Sequence, residues 1–149
     1  MRSTFQPGRG APDSVVLPQL ADWSKHADAG VRYFSGTATY RQVFKLPAKT
    51  AKYLVLDLGE VREMAEVIVN GKSAGILWKP PYRADLTGFV KPGNNTLEVR
   101  VTNLWVNRLI GDEQPGAKPI TFTKIMTYRA DAPLRPSGLI GPVTLEEEK

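Results

Sequence analysis

The chain contains no cysteine. Disulfides and thiolate metal sites are therefore excluded, and at 149 residues a domain can bury enough apolar surface to fold without covalent staples. No run of about 18 apolar residues exists, so no transmembrane helix is expected. The opening Met1-Arg2-Ser3-Thr4-Phe5 has no apolar stretch of the kind a signal peptide requires. It reads either as the start of a cytosolic protein or as an internal point of a longer one. Histidine is nearly absent: His26 is the only one, so a Ser–His–Asp triad or a histidine zinc site would rest on a single side chain. A loop histidine is the simpler reading. The net charge is +5, yet no two of the 20 Lys and Arg are adjacent. Following a phosphate backbone needs clustered cations, so neither nucleic acid nor membrane is expected as a partner. Gly8-Arg9-Gly10 lacks the Gly-Lys-Ser/Thr that completes a phosphate loop. The closing Glu146-Glu147-Glu148 reads as a solvated tail.

Sustained helical periodicity is missing as well. Val61, Met64 and Ala65 fit a 3.6-residue period, but the segment Glu60 to Val67 merges into a β-branched run, which predicts at most one helical turn. What the chain has instead is alternation. Ala38, Tyr40, Phe44 and Leu46 share one face of an expected strand from Thr37 to Leu46, interrupted at Gln42 and Val43. Leu97, Val99 and Val101 alternate with Glu98, Arg100 and Thr102. Tyr53 to Leu58 is apolar on both faces until Asp57 and reads as a central strand. Asn70-Gly71, between Ala65–Val69 and Lys72–Trp78, is a type I′ hairpin signal because both residues tolerate positive φ. Loops rich in Pro and charge are expected at Asp112 to Lys118 and Arg129 to Ser137. Short strands punctuated by turns indicate an all-β antiparallel sandwich or barrel.

Several segments carry a resemblance. They are Phe34-Ser35-Gly36-Thr37-Ala38-Thr39-Tyr40, Leu56-Asp57-Leu58-Gly59, Val67 to Lys72, Gly75 to Thr87 (including Pro81-Tyr82-Arg83-Ala84-Asp85-Leu86-Thr87), Asn94 to Asp112 and Gly138 to Val143. The string Trp105-Val106-Asn107-Arg108-Leu109-Ile110-Gly111-Asp112 is the most specific of them. The series resembles the sugar-binding-like β-sandwich domain of glycoside hydrolase family 2. It is most similar to the version at the C-terminal end of large bacterial α-L-rhamnosidase-type hydrolases of family 106. The resemblance runs from about Leu20 to Leu145. It implies a galactose-binding-like jelly roll that packs beside the catalytic domain of a parent hydrolase, itself periplasmic or secreted. Such domains open on a strand bearing a Trp, and Ser3-Thr4-Phe5-Gln6-Pro7 looks like the tail of that strand. Residues 1–149 are thus expected to be one β-sandwich module truncated at its N-terminal strand, with an exposed apolar patch where the catalytic domain docks.

Hydrolysis of a glycosidic bond needs two carboxylates about 5 to 9.5 Å apart, one held protonated. Among the 15 acidic residues the only such pair is Asp85 with Asp112, and only if two loops meet. No catalytic residue is therefore assigned. Sugars are held by aromatic faces with planar polar groups at their hydroxyls. Trp78, Tyr82 and Trp105 are the candidate platforms, and Lys79, Arg83, Asn107, Arg108 and Asp112 the candidate polar groups. Six of the eight have a structural alternative: Trp78 and Trp105 as core, Arg83 paired with Asp85, Asn107 (with Asn103) bonded to turn backbone, and Arg108 paired with Asp112. Trp23 reads as core. No cofactor is expected. Calcium, which galactose-binding-like folds often carry, stays open, although Asp13, Asp22 and Asp28 are too dispersed to form a dense acidic loop. Three functions follow: an accessory module binding or positioning carbohydrate, a purely structural domain, or a hydrolase in its own right.

Overall fold

The computed structural model describes residues 1–49, 53–122 and 127–148. Strands β1 (Arg2–Phe5), β2 (Ser14–Val16), β3 (Thr37–Leu46), β6 (Met64–Val69), β7 (Lys72–Leu77) and β9 (Gly93–Thr102) form one antiparallel sheet in the order β2-β1-β3-β9-β6-β7. The second layer comprises β4 (Tyr53–Asp57), β8 (Arg83–Asp85) and β11 (Thr144–Glu148) in the order β11-β4-β8, with a pair formed by β5 (Glu60–Arg62) and β10 (Gly138–Gly141). The all-β sandwich expected from the sequence is what the chain forms.

Alternation sets which side chains enter the core. Ala38 and Tyr40 of β3, Val99 and Val101 of β9 and Ala65 and Val67 of β6 are fully buried from one sheet. Leu54 and Leu56 of β4, Val61 of β5 and Leu139 of β10 meet them from the other. The expected break in β3 is real, since Val43 is 58% exposed. β4 is the central strand of its sheet, as its two-sided apolar character predicts. Asn70 and Gly71 adopt φ of 50° and 80° and close the β6–β7 hairpin. The turn before β9 is organised by buried Asn95, whose Oδ1 accepts from Lys91 N–H at 2.9 Å and whose Nδ2 donates to Lys91 O at 2.7 Å.

Glu60 to Val67, expected to hold at most one helical turn, holds none: it forms β5 and β6, with Glu63 N–H donating to Thr102 O at 3.0 Å between them. The β-branched run and the ladder to β9 override a two-turn coincidence of spacing. Conversely, the chain does contain short helices, α1 (Ala29–Arg32) and α2 (Val106–Asp112), and a 3₁₀ turn at Trp23–Lys25. Asp112, expected to open a loop, is the last residue of α2.

Candidate functional site

Seven residues are too few for a helix to stand alone in water, so α2 depends on what it touches. It buries Asn107, Arg108, Ile110 and Gly111. Gly111 is needed there because a Cβ would lie 2.6 Å from Tyr33 Cβ. Ser35 Oγ ties the helix start to the sheet, donating to Leu104 O at 2.8 Å and accepting from Arg108 N–H at 3.1 Å. Asn107 clasps the backbone of Arg135 in both directions, with Nδ2 donating to its carbonyl and Oδ1 accepting from its N–H, each at 2.8 Å. Asn103 does the same for the chain before β3, donating to Phe34 O at 2.7 Å and accepting from Gly36 N–H at 3.0 Å.

Asp112 latches the loop that follows the helix. Oδ1 accepts from Arg108 Nε at 3.0 Å and from Ile120 N–H at 3.1 Å. Oδ2 accepts from Thr121 N–H at 2.8 Å and from the Thr121 hydroxyl. Arg108 and Asp112 leave only 8% and 5% of their side chains exposed. Burial alone would push the Asp112 carboxyl up. The bonds from Thr121 and Ile120, with the Arg108 charge, outweigh it and hold the group below the ordinary carboxylate value.

This latch shapes an open groove of about 460 Å³ lined by Arg9, Trp105, Leu109, Ile120, Thr121 and Phe122. A neighbouring hollow of about 270 Å³ shares Leu109, Thr121 and Phe122 and adds Asp112, Glu113 and Tyr128. Trp105 is 46% exposed and Phe122 89%. The Arg9 guanidinium carbon lies 4.6 Å from the Trp105 ring centroid. Its loop reaches the groove because Gly10 has no side chain: a Cβ there would lie 2.7 Å from Ile120 Cδ1 and 3.1 Å from Arg108 Nη1. The groove offers an aromatic face, apolar walls and a cation, a set suited to binding. Among the described residues no carboxylate lines it, whereas hydrolysis requires two.

The eight sequence-predicted residues therefore separate. Trp105 lines the groove, Asp112 lines the adjoining hollow, and Arg108 braces Asp112 from within. Asn107 is buried and structural. Tyr82 is not a platform: it is 6% exposed and its hydroxyl donates to Glu63 O at 2.7 Å. Arg83 does not pair with Asp85. It bonds Asp57 Oδ2 at 2.9 Å and Glu146 Oε2 at 2.7 Å, while Asp85 accepts from Thr87 N–H at 2.8 Å. Trp78 is not core. It is 68% exposed beyond β7, with Lys79 Nζ 5.0 Å from its ring centroid, and neither residue lines the groove. Asp85 and Asp112 bond different segments of backbone, at Thr87 and at Ile120 and Thr121. Among the described residues no three His, Asp or Glu side chains converge on a cation site, and no helix is long and apolar enough to cross a membrane. Arg9, Leu109, Ile120, Thr121 and Phe122 are the groove residues that sequence reasoning missed, and Arg9 is the charged one.

Residues 22–133 match the family model described as "Glycosyl hydrolase 2 galactose-binding domain-like". A curated relative from Formosa agariphila, named "Putative beta-glucuronidase", is 41% identical over 160 residues, covering 89% of this chain and 14% of that protein. The solved rhamnosidase from Novosphingobium sp. PP1Y is 55% identical with a TM-score of 0.93, over 97% of this chain and 14% of that one. A Ruminococcus gnavus beta-glucuronidase aligns over 68% of this chain with a TM-score of 0.57 at 24% identity, a likeness of fold alone. The resemblance read from the sequence is borne out. The chain spans about 14% of the length of the curated relative and of the rhamnosidase it matches.

Proposed function

Because the chain belongs to the glycosyl hydrolase 2 galactose-binding domain-like family, we propose that it is a single non-catalytic module that positions carbohydrate at the α2 groove, beside the catalytic domain of a larger hydrolase. The observation that carries this is Trp105, half-exposed on the wall of an otherwise apolar groove and facing a cation. An indole face covers the C–H surface of a sugar ring, and flanking N–H and O–H groups take its hydroxyls. Glu113 and Tyr128 in the adjoining hollow extend the polar side.

Calorimetric titration of the 149-residue chain with rhamnose-, galactose- and uronate-containing oligosaccharides tests the proposal. Trp105→Ala is expected to weaken any binding about fivefold or more, the lower end of the about 1–3 kcal/mol that truncating an aromatic platform costs in base stacking. Trp78→Ala, remote from the groove, should leave it unchanged. Silence across the panel would remove the proposal. A second reading, that this end of the sandwich is covered by the catalytic domain, is favoured by the exposure of Leu104, Ile120 and Phe122. That reading predicts loss of domain association, and no change in sugar affinity, on Phe122→Ser.

A further inference from the structure

Arg9 differs from Arg83 and Arg108 in what holds it. Arg83 and Arg108 are each held by carboxylates. Arg9 is half-buried, and its guanidinium lies over the Trp105 ring. No hydrogen bond or ion pair to protein occupies its five N–H donors there. It is also the only charged side chain among the described residues lining the groove. Asp112 lies close by in the adjoining hollow, but its oxygens are committed to Arg108, Ile120 and Thr121.

We infer that the groove selects acidic carbohydrate, with Arg9 reading a carboxylate or sulfate ester on the bound sugar; this rests on the carbohydrate reading above. An arginine set against an aromatic ring is weakly hydrated, and its planar fork matches an oxyanion bidentately. The indole that holds it also supplies the sugar platform, so one sugar can cover Trp105 while its anionic group reaches Arg9. The groove's polarity fixes the orientation. The acidic end lies at Arg9, and a neutral continuation extends past Leu109 and Phe122 toward Glu113, where a second anion would be repelled. Gly10 is part of the device, since its φ of 86° is a backbone conformation that residues with side chains rarely adopt.

The test compares three ligands by calorimetry at low salt: a disaccharide ending in a uronic acid, the same disaccharide with its carboxylate reduced to an alcohol, and that neutral disaccharide carrying an O-sulfate. At least one acidic ligand is expected to bind about tenfold more tightly than the neutral one, the ratio that one charge-assisted contact supplies. The difference between the two acidic arms assigns carboxylate or sulfate. Arg9→Gln should abolish the preference by lowering the affinity of the acidic ligands to that of the neutral one measured on the same variant. Arg9→Lys should retain part of it, and about 0.5 M NaCl should shrink it. Equal binding of acidic and neutral ligands, or a preference that survives Arg9→Gln, overturns this inference while the carbohydrate reading stands. Absence of binding by all three overturns both.

Discussion

Two aromatic clusters of similar composition are put to opposite uses. In the interior, Phe5, Trp23 and Phe34 meet edge to face with centroids 4.9–5.5 Å apart, and Trp23 stacks on Tyr40 at 6.3 Å. The polar bonds there end inside: Trp23 Nε1–H donates to Tyr40 Oη at 2.6 Å, and Leu139 N–H donates to the same oxygen at 3.1 Å. Burial pushes the Tyr40 hydroxyl well above its ordinary value, so it stays neutral. At the α2 groove, Trp105 and Phe122 face outward, and the polar partner is an arginine without a carboxylate. A closed aromatic cluster stabilises the fold because its directional bonds end within the protein. An open one leaves such bonds for something else to complete.

The strongest way to break this comparison is to empty the closed cluster. Trp23 is 1% exposed, and Trp23→Ala removes a large ring and one donor to Tyr40. A loss of about 4 kcal/mol is expected, read as a drop in the urea midpoint. A midpoint near that of the parent chain would mean that the interior cluster is not what holds the two sheets together.

Asp112 joins the two regions, because its latch is built from buried groups yet forms a wall of the groove. Asp112→Asn leaves Arg108 almost fully buried without its counter-charge, for an expected loss of about 3 kcal/mol at neutral pH. The pH dependence separates this from a packing effect. The folded-state pKa of Asp112 is depressed, so its contribution is complete above the unfolded carboxylate value of about 3.9. It is lost as pH falls through the lower folded value. The asparagine variant has no such group to titrate. The stability gap between the two chains should therefore narrow on acidification below about pH 4, measured by urea unfolding at pH 7, 4 and 3. A gap that stays constant would show that the carboxylate's charge contributes nothing to the latch.

The closed region was the more legible in the sequence, and the reason is periodicity. Leu97, Val99 and Val101 announce their burial by alternation alone, and Asn70-Gly71 announces its hairpin by backbone chemistry. α2 carries no such signal. It is seven residues long, contains Gly111, and has no side-chain cap at Trp105. Its support comes from Ser35 and Arg135, neither nearby in the chain. Tyr82 looked like a platform because residue type cannot tell which way a ring points, and the Glu63 carbonyl decides it. Arg9 was invisible for a related reason. Its loop precedes the whole main run of strands and reaches Trp105 only once the sandwich has formed. Gly8-Arg9-Gly10 drew notice as a failed phosphate loop. The useful signal was a lone arginine between two flexible residues, which has meaning only beside a partner.

The smallest expected effect is the sharpest discriminator. Trp105→Ala removes the same ring type as Trp23→Ala, yet about half of that side chain already faces solvent. The bond that starts the helix, Leu109 N–H to Trp105 O at 3.1 Å, is backbone and survives. A loss below about 1 kcal/mol is expected, the scale of an exposed cation–π contact. Arg9→Gln should add almost nothing on top of it, because the two residues share that one contact. Urea unfolding of the two single variants and the double variant measures this directly. If Trp105→Ala were as damaging as Trp23→Ala, the ring would be a wall of the core. The groove would then exist to keep α2 folded, and its open arginine would need a different explanation.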